Sequence, residues 1–171
     1  MNPPSLKDVS IRTELQPGDM GSVIHMHARL YAAEHGFGIP FESYVARGLC
    51  EFYERYNPAR SRVWVCEHSD RIIGFLLLMD RDDSAQLRYF LIEPQYRGMG
   101  LGSKLLQLYM DFLQNCGYQR SYLWTTDELP AAIYMYTKLG FKLAEEKAST
   151  SFGKPVIEQR YDLMLPREPL R

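Results

Sequence analysis

The sequence predicts an α/β fold of the α+β kind, with a mixed, mostly antiparallel central sheet of about seven strands flanked by about four helices. Three observations lead to this fold class. Three β-rich runs follow one another through polar connections of hairpin length, and a strand, a glycine-rich turn, a helix and another strand come next. Two further β-rich runs close the chain. Hairpin connections give antiparallel neighbours, whereas a strand–helix–strand unit gives a parallel pair with a right-handed crossover.

Hydrophobic spacing assigns the individual elements. Alternating or β-rich apolar runs predict strands over residues 9–15, 62–67, 72–80, 85–93, 121–126, 141–147 and 156–165. Apolar residues that recur at every third or fourth position predict helices over residues 20–35, 40–56, 101–117 and 130–139. Asp19 is expected to cap the first helix, and Gly140 to close the last one in a left-handed conformation.

Composition limits the classes of function. The 171 residues are 46% hydrophobic and 24% charged with a net charge of -1, which argues against double-stranded nucleic acid as a partner. No break in composition divides residues 1–171, so a single domain is expected. Cys50, Cys66 and Cys116 are far apart, which predicts neither a disulfide framework nor a metal site. No signal peptide or bilayer-long apolar run is recognisable, so we expect a cytoplasmic protein without a membrane partner.

The segment over residues 91–104 carries the strongest functional signal. It reads Leu-Ile-Glu-Pro-Gln-Tyr-Arg-Gly-Met-Gly-Leu-Gly-Ser-Lys, which predicts a strand end, a glycine turn and a helix start. Gly98, Gly100 and Gly102 remove every second Cβ, so successive backbone N–H groups can converge on an anion beside the positive charge of Arg97. The alternative is that the glycines only shape the turn.

Two common phosphate-binding patterns do not fit this turn. A dinucleotide-binding fold has Gly-x-Gly-x-x-Gly in an early parallel unit, whereas this chain has Gly-x-Gly-x-Gly after an antiparallel meander. A nucleotide-triphosphate P-loop has Lys directly after its last glycine, and here Ser103 follows Gly102. Kinase and ATPase functions are therefore disfavoured.

The spacing Arg97-x-x-Gly100-x-Gly102 resembles motif A of the GNAT superfamily of acetyl-CoA-dependent N-acyltransferases. In that family the backbone amides of the turn hold the pyrophosphate of coenzyme A. The resemblance therefore implies acetyl-CoA as co-substrate, with the preceding strand end pairing with the pantetheine arm and donating to the thioester oxygen. The implied binding residues are Leu91, Ile92, Arg97, Gly98, Met99, Gly100, Leu101, Gly102 and Ser103.

A second segment, residues 132–141, resembles motif B of the same family. It reads Ala-Ile-Tyr-Met-Tyr-Thr-Lys-Leu-Gly-Phe, with Tyr136 five residues before Phe141. The resemblance implies that Tyr136 is the general acid that protonates the departing thiolate, and packing of Tyr136 in the core is the alternative. Leu129 stands where the family often has asparagine, so the polar contact of that asparagine with the cofactor is not expected from this side chain.

The resemblance extends over residues 9–165 and is closest to the acetyltransferase half of proteins that join a MarR-type winged-helix regulator to a GNAT domain. Residues 30–37, 56–64, 123–129 and 151–154 carry this closer likeness. The regulator half is absent from the sequence, so no nucleic-acid binding is expected.

The activity that the resemblance implies is direct transfer of an acetyl group from acetyl-CoA to a primary amine in a ternary complex. A non-catalytic acyl-CoA-binding or regulatory domain is the alternative. Family members commonly use a carboxylate or an ordered water as base, and their first two helices shape the acceptor site. Glu34 is therefore a candidate base beside Glu42 and Glu51, with a solvated surface role as the alternative for each. The acceptor is expected to be a small-molecule or peptide amine, and an exposed strand near the C-terminus gives a route to a homodimer.

Overall fold

The computed structural model describes residues 4–166. The strands are β1 (Ser10–Arg12), β2 (Arg62–His68), β3 (Arg71–Arg81), β4 (Ser84–Ile92), β5 (Arg120–Thr126), β6 (Lys142–Ser149) and β7 (Val156–Met164). The helices are α1 (Asp19–His35), α2 (Ile39–Glu54), α3 (Leu101–Asn115) and α4 (Pro130–Lys138), with short 3-10 turns at Leu6–Asp8 and Pro94–Tyr96.

The seven strands form one sheet in the order β1-β2-β3-β4-β5-β7-β6. Strands β4 and β5 are parallel, because the glycine turn and α3 carry the chain from one end of the sheet back to the other. The other neighbouring pairs are antiparallel. The predicted fold class, a mixed and mostly antiparallel sheet with flanking helices, is confirmed.

Both faces of the sheet are covered by helices. On one face α1 and α2 pack on Phe75 and Leu77, and on the other face α3 and α4 pack on Leu76 and Leu78. The inner strand β3 is therefore buried without interruption over residues 73–79, as expected for a strand that faces apolar side chains on both sides. The helices on both faces hold the strands of the sheet in place, including β4 and β5.

The first strand is shorter than the predicted span of residues 9–15. Arg12 ends it, because its guanidinium donates hydrogen bonds to the Asp19 carboxylate at 2.7 and 2.8 Å and to Glu67 at 3.0 Å. Asp19 accordingly does not cap α1, and that prediction was wrong. It is the first helical residue, and the N-cap is Gly18 in a left-handed conformation.

A β-bulge interrupts β4 in its second half. Phe75 pairs with Leu91 but Leu77 pairs with Arg88, so two residues of β4, Tyr89 and Phe90, stand opposite a single residue of β3. Tyr89 takes a left-handed φ of 57°, which costs a non-glycine residue on the order of 1 kcal/mol. Because of the bulge, the side chains of β4 change face at this point.

The parallel pairing of β4 with β5 is also short. It joins residues 85–87 of β4 to residues 121–123 of β5 and continues no further within the described residues. Within residues 88–92, Arg88, Leu91 and Ile92 therefore stay paired with β3, but the segment has no partner strand on its other side. The sheet opens here, next to the glycine turn.

Candidate functional site

A cavity of about 700 Å³ occupies this opening. It extends through the sheet and has two parts. The part toward α3, here called the α3 side, is lined by Phe90, Ile92, Gly98, Gly100, Gly102, Ser103, Ala132, Met135 and Tyr136. The part toward α1, here called the α1 side, is lined by His27, Tyr31, Phe37, Phe41, Tyr44, Arg88, Tyr89 and Phe152.

The glycine turn ends directly at the α3 side. Gly98 and Gly100 have φ values of 75° and 91°, which L side chains rarely adopt. The first hydrogen bond inside α3 joins Lys104 N–H to Gly100 O at 3.0 Å. The preceding N–H groups of the first turn therefore have no acceptor within the helix, and an anion at this position would receive them.

Gly102 has a different reason to be glycine. It lies within α3, and a Cβ there would stand 3.1 Å from Met135 Cε and 3.3 Å from Phe90 Cζ. The expectation that three glycines shape one turn is therefore corrected. Gly98 and Gly100 supply left-handed backbone, whereas Gly102 lets α3 approach α4 and β4 closely.

Arg97 and Glu34 bind each other at the rim of the cavity. Arg97 Nη1 and Nη2 donate to the two carboxylate oxygens of Glu34 at 3.1 and 2.9 Å, and Arg97 Nε donates to Ile92 O at 2.8 Å. His35 Nε2 lies 3.8 Å from the same carboxylate. The structure thus brings together the predicted phosphate-binding cation and the predicted base as a forked ion pair.

The strand end at Leu91 and Ile92 has one free edge. Glu93 N–H donates to Ile73 O at 2.8 Å on the β3 side. Because backbone groups alternate sides along a strand, the N–H of Ile92 faces away from β3, toward the opening. The remaining predicted residues differ in their contacts: Leu101 is buried in the core, Met99 is half-buried against it, and Ser103 is exposed at the cavity.

Tyr136 projects from α4 into the α3 side. It is 5% exposed, and its ring lies 6.1 Å from that of Phe90 and 6.2 Å from that of Phe141. Gly140 is left-handed at φ 97°, as predicted, and Phe141 N–H donates to Tyr136 O at 3.1 Å. This turn explains the spacing between Tyr136 and Phe141. Burial raises the pKa of Tyr136, so its phenol keeps its proton at neutral pH.

Leu129 and Trp124 also line the cavity. Leu129 is the N-cap residue of α4 and presents an apolar side chain where an amide would offer hydrogen bonds. Trp124 is half-buried, and Lys147 Nζ lies 4.6 Å from its ring centroid. Both side chains belong to the cavity wall.

The α1 side has an aromatic wall, defined here as Tyr31, Phe37, Phe41, Tyr44 and Phe152. The rings of Tyr31 and Phe41 stack at 4.5 Å, and Phe152 lies 5.3 Å from both Phe37 and Phe41. Phe152 comes from the loop between β6 and β7, far along the chain from α1 and α2. Sequence spacing alone contains no signal that brings this loop to the first two helices.

His27 is a buried polar residue on the same side. Its Nδ1–H donates to Val23 O at 2.9 Å, which leaves Nε2 as an acceptor. Within residues 4–166 this Nε2 has no partner, and neither have Tyr89 Oη and Thr126 Oγ1, which also line the cavity. Burial lowers the pKa of His27 to about 4, so the ring is neutral. His27 was not singled out from the sequence, because its helical position alone does not show that it faces the cavity.

The described residues include no group of three or more His, Cys, Asp or Glu side chains arranged to hold a metal ion. None of the helices described is both long and apolar enough to cross a bilayer.

Comparisons with known proteins give a consistent result. An uncharacterized N-acetyltransferase of Escherichia coli K12, YjgM, is 33% identical over 98 residues, which cover 55% of this chain and 59% of the relative. The spermidine N(1)-acetyltransferase of the same strain is 27% identical over 147 residues, or 84% of this chain and 77% of the relative. The first curated relatives are matched over about three fifths of their length, at 59% and 63%.

Solved structures show the same fold. The structure of yncA from Salmonella typhimurium, a putative acetyltransferase with its cofactor acetyl-CoA, superposes with a TM-score of 0.71 at 19% identity, covering 95% of this chain and 97% of that one. Residues 26–141 match the family model described as Acetyltransferase (GNAT) family. The resemblance to the GNAT superfamily is therefore confirmed, whereas the closer likeness to MarR-type fusion proteins stays a prediction. The chain belongs to the GNAT acetyltransferase family.

Proposed function

We propose that this protein transfers an acetyl group from acetyl-CoA to a primary amine, directly and within a ternary complex. The observation that carries the proposal is the opening of the sheet between β4 and β5 beside the free N–H groups of α3. One cavity connects this opening to the α1 side. A donor that enters from the α3 side and an amine that enters from the α1 side would therefore meet between the two strands.

The residues on the α3 side fit the chemical groups of acetyl-CoA. The first N–H groups of α3 and the left-handed turn at Gly98 and Gly100 suit a pyrophosphate. The unpaired edge of β4 at Leu91 and Ile92 suits the amide groups of the pantetheine arm. The N–H of Ile92 would polarise the thioester oxygen, since a fixed donor stabilises charge that develops there.

Tyr136 is the proposed general acid. Its buried phenol holds a proton at neutral pH and lines the α3 side next to Ala132 and Met135. A thiolate leaving group needs a proton, and a phenol in reach of the sulfur supplies one. If Tyr136 only packs in the core, Tyr136→Phe should leave kcat unchanged, as should the control Tyr134→Phe.

Glu34 is the proposed base, on one condition. Both of its oxygens accept hydrogen bonds from Arg97, so it can take a proton from the amine only when Arg97 has turned to the pyrophosphate. The other two carboxylates that the sequence offers do not line the cavity. Glu51 accepts hydrogen bonds from Arg81 of β3, and Glu42 lies in the first turn of α2.

A test of the function begins with binding. Acetyl-CoA at 100 times its dissociation constant should raise the free energy of unfolding by about 2.7 kcal/mol. Thiol release from acetyl-CoA over a panel of amines, amino acids and peptides then measures transfer. Stabilisation without thiol release on any acceptor would favour the binding-domain alternative, and the absence of stabilisation would contradict both.

Two further expectations remain proposals. A homodimer is proposed through β6, which lies at the edge of the sheet and exposes seven of its eight residues. The mass of the protein in solution, measured by light scattering, distinguishes a dimer from a monomer. A cytoplasmic location is the second proposal, and cell fractionation tests it.

A further inference from the structure

Arg88 is a largely buried cation with one long contact to a carboxylate. Its side chain is 9% exposed and lines the α1 side of the cavity. The nearest carboxylate is that of Glu51, and Arg88 Nη1 lies 3.5 Å from its Oε2, outside the usual range of a hydrogen bond. Among residues 4–166 this long contact is the one salt bridge of the guanidinium, although the group carries five N–H donors.

The Glu51 carboxylate is shared among several arginines. Arg81 Nη1 and Nη2 both donate to it, the second at 3.3 Å, and Arg55 Nη1 lies 4.0 Å away. Arg81 is the main cause of the lowered pKa of Glu51, so the carboxylate is ionised and turned toward Arg81. Arg55 Nη2 also lies 3.9 Å from Asp82 Oδ2, so two carboxylates stand among three guanidinium groups. This leaves an excess of positive charge, and Arg88 is the member that faces the cavity.

The other charged groups of the cavity wall have nearby partners of opposite sign. Glu34 binds Arg97, and Lys154 Nζ donates to Glu128 at 2.7 and 3.1 Å. Glu158 has Lys147 Nζ at 3.7 Å. Arg88 differs from these groups, because the carboxylate nearest to it, that of Glu51, accepts its hydrogen bonds from Arg81.

Tyr89 places a hydroxyl beside this guanidinium. The Oη of Tyr89 and the Nη2 of Arg88 lie 1.7 and 2.6 Å from the point where a Cβ on Gly48 would stand. The bulge in β4 puts both side chains on the α1 side, and Tyr89 Oη is buried without a partner in residues 4–166. A buried hydroxyl without a partner is costly unless a ligand binds it, and a ligand that accepts from Tyr89 Oη also lies close to the Arg88 guanidinium.

The orientation of Arg88 favours a planar anion. Its Cζ lies over the rings of Tyr44 and Tyr89, at 5.3 and 4.7 Å from the centroids. Aromatic rings against the faces of a guanidinium leave its N–H edge for the ligand, and a carboxylate binds such an edge with two parallel hydrogen bonds. Arg88 and Ile92 stand opposite Leu77 and Gly74, so they are about 10 Å apart along the sheet. The arginine side chain and one amino acid can together bridge this distance.

We propose that Arg88 and Tyr89 bind a carboxylate on the acceptor, so that the amine substrate is an amino acid or a similar molecule carrying both an amine and a carboxylate. The inference rests on the proposed function, because it names the acceptor of that reaction. It assigns Arg88 to substrate recognition, and the aromatic wall beside it suits an apolar side chain of the acceptor.

The experiment compares each of the twenty L-amino acids with its amine lacking the carboxylate, for example phenylalanine with phenethylamine, in the thiol-release assay. We expect kcat/KM to be about tenfold or more higher for the best amino acid than for its matched amine. Phosphoethanolamine, compared with ethanolamine, tests phosphate as the anionic group, and spermidine tests a polycation. A preference for either of these over every amino acid would overturn the proposal.

Two variants separate recognition from structure. Arg88→Gln should lower kcat/KM for the preferred amino acid about tenfold or more, and leave the matched amine and the KM for acetyl-CoA within about threefold. Glu51→Gln removes the same ion pair from the other side but keeps the guanidinium, so the preference for the carboxylate should persist. Two outcomes would contradict the role of Arg88. One is an equal loss of kcat/KM for the amino acid in Arg88→Gln and in Glu51→Gln, and the other is a preference for the carboxylate that survives in Arg88→Gln.

A binding measurement keeps the inference distinguishable from the proposed function. Calorimetric titration of the preferred amino acid and its matched amine into the unmodified protein and into Arg88→Gln needs no turnover. If no amine is acetylated but carboxylate-dependent binding is present and is lost in Arg88→Gln, the acetyl-transfer proposal fails and the carboxylate site stands. If acetylation proceeds equally well with and without a carboxylate on the acceptor, the acetyl-transfer proposal stands and the carboxylate site fails.

Discussion

Arg97 and Glu34, which lie 63 residues apart in the chain, are joined by two parallel hydrogen bonds at 2.9 and 3.1 Å. The pair connects the glycine turn to the end of α1 at the rim of the cavity. Arg97 was predicted to bind a phosphate group and Glu34 to accept a proton. Each role requires the pair to open, so binding of the donor and readiness of the base are coupled through these two side chains.

Glu34→Gln tests that coupling. Removing the carboxylate frees Arg97, and we expect acetyl-CoA to bind about two- to fivefold more tightly, since partly exposed ion pairs contribute about 0.2–1 kcal/mol. Calorimetry gives the affinity, and Glu42→Gln, outside the cavity, is the control. A fall in kcat of about hundredfold or more would identify Glu34 as the base. An unchanged kcat would leave it as the counter-ion of Arg97 alone.

Tyr136→Phe should lower kcat by a factor of about 10² to 10⁴ with little change in the dissociation constant of acetyl-CoA, because only the proton donor is removed. Tyr134→Phe, on the same helix but 66% exposed, should leave both constants unchanged. Burial raises the pKa of Tyr136, so the acid form is not lost at moderately alkaline pH. A loss of activity caused by this group should therefore appear only above about pH 10. Equal kcat in Tyr136→Phe would assign the ring to packing.

Gly100→Ala tests the proposed anion site with a matched glycine elsewhere. Gly100 and Gly117 both have positive φ, 91° and 73°, and neither has an atom within 4 Å of an added Cβ. Alanine at either position should reduce the free energy of unfolding by about 1–2 kcal/mol. Only Gly100→Ala places a methyl group at the α3 N-terminus, so only this variant should weaken acetyl-CoA binding, by about tenfold. Equal affinities in the two variants would contradict a phosphate site at the turn.

His27 should make stability depend on acid pH. Burial lowers its pKa from 6.5 to about 4, so the unfolded chain takes up this proton at a higher pH than the folded protein does. The stabilisation is complete above pH 6.5 and is lost as pH falls toward 4, by up to about 1.4 kcal/mol per pH unit. Urea unfolding between pH 4 and 8 should show a shallower decline in His27→Gln, while the exposed His25→Gln should behave like the unmodified protein. Parallel declines in all three would exclude His27 as the cause.

Gly48→Ala and Gly21→Ala should shift stability in opposite directions. Both glycines lie in helices, where alanine is normally favoured by up to about 1 kcal/mol. A Cβ on Gly48 would stand 1.7 Å from Tyr89 Oη, whereas one on Gly21 meets nothing within 4 Å. We expect Gly21→Ala to stabilise the protein and Gly48→Ala to destabilise it by about 1–3 kcal/mol, measured by thermal unfolding. Stabilisation by both would show that Tyr89 and Arg88 move aside freely.

The sequence could predict most of the elements and part of the site. Strand β5 and helix α4 were predicted nearly to the residue, and Gly140 is left-handed at the end of α4 as its position indicated. The first strand was predicted too long, because its pairing with β2 stops at Arg12, whose side chain binds Asp19 and Glu67. The bulge at Tyr89 was not predicted, since an apolar run contains no sign of where its register will shift.

What the sequence determined by itself is the order of the elements, the left-handed glycine turn before α3 and the spacing of Tyr136 to Phe141. These features depend on backbone preferences and contacts within a few residues, which local sequence encodes. The tertiary structure alone decided that Arg97 meets Glu34, that β4 and β5 cease to pair after Leu87 and Leu123, and that Arg88 faces the cavity. Each of these depends on side chains or strands distant in the chain, whose meeting is fixed by how the whole sheet packs against its helices.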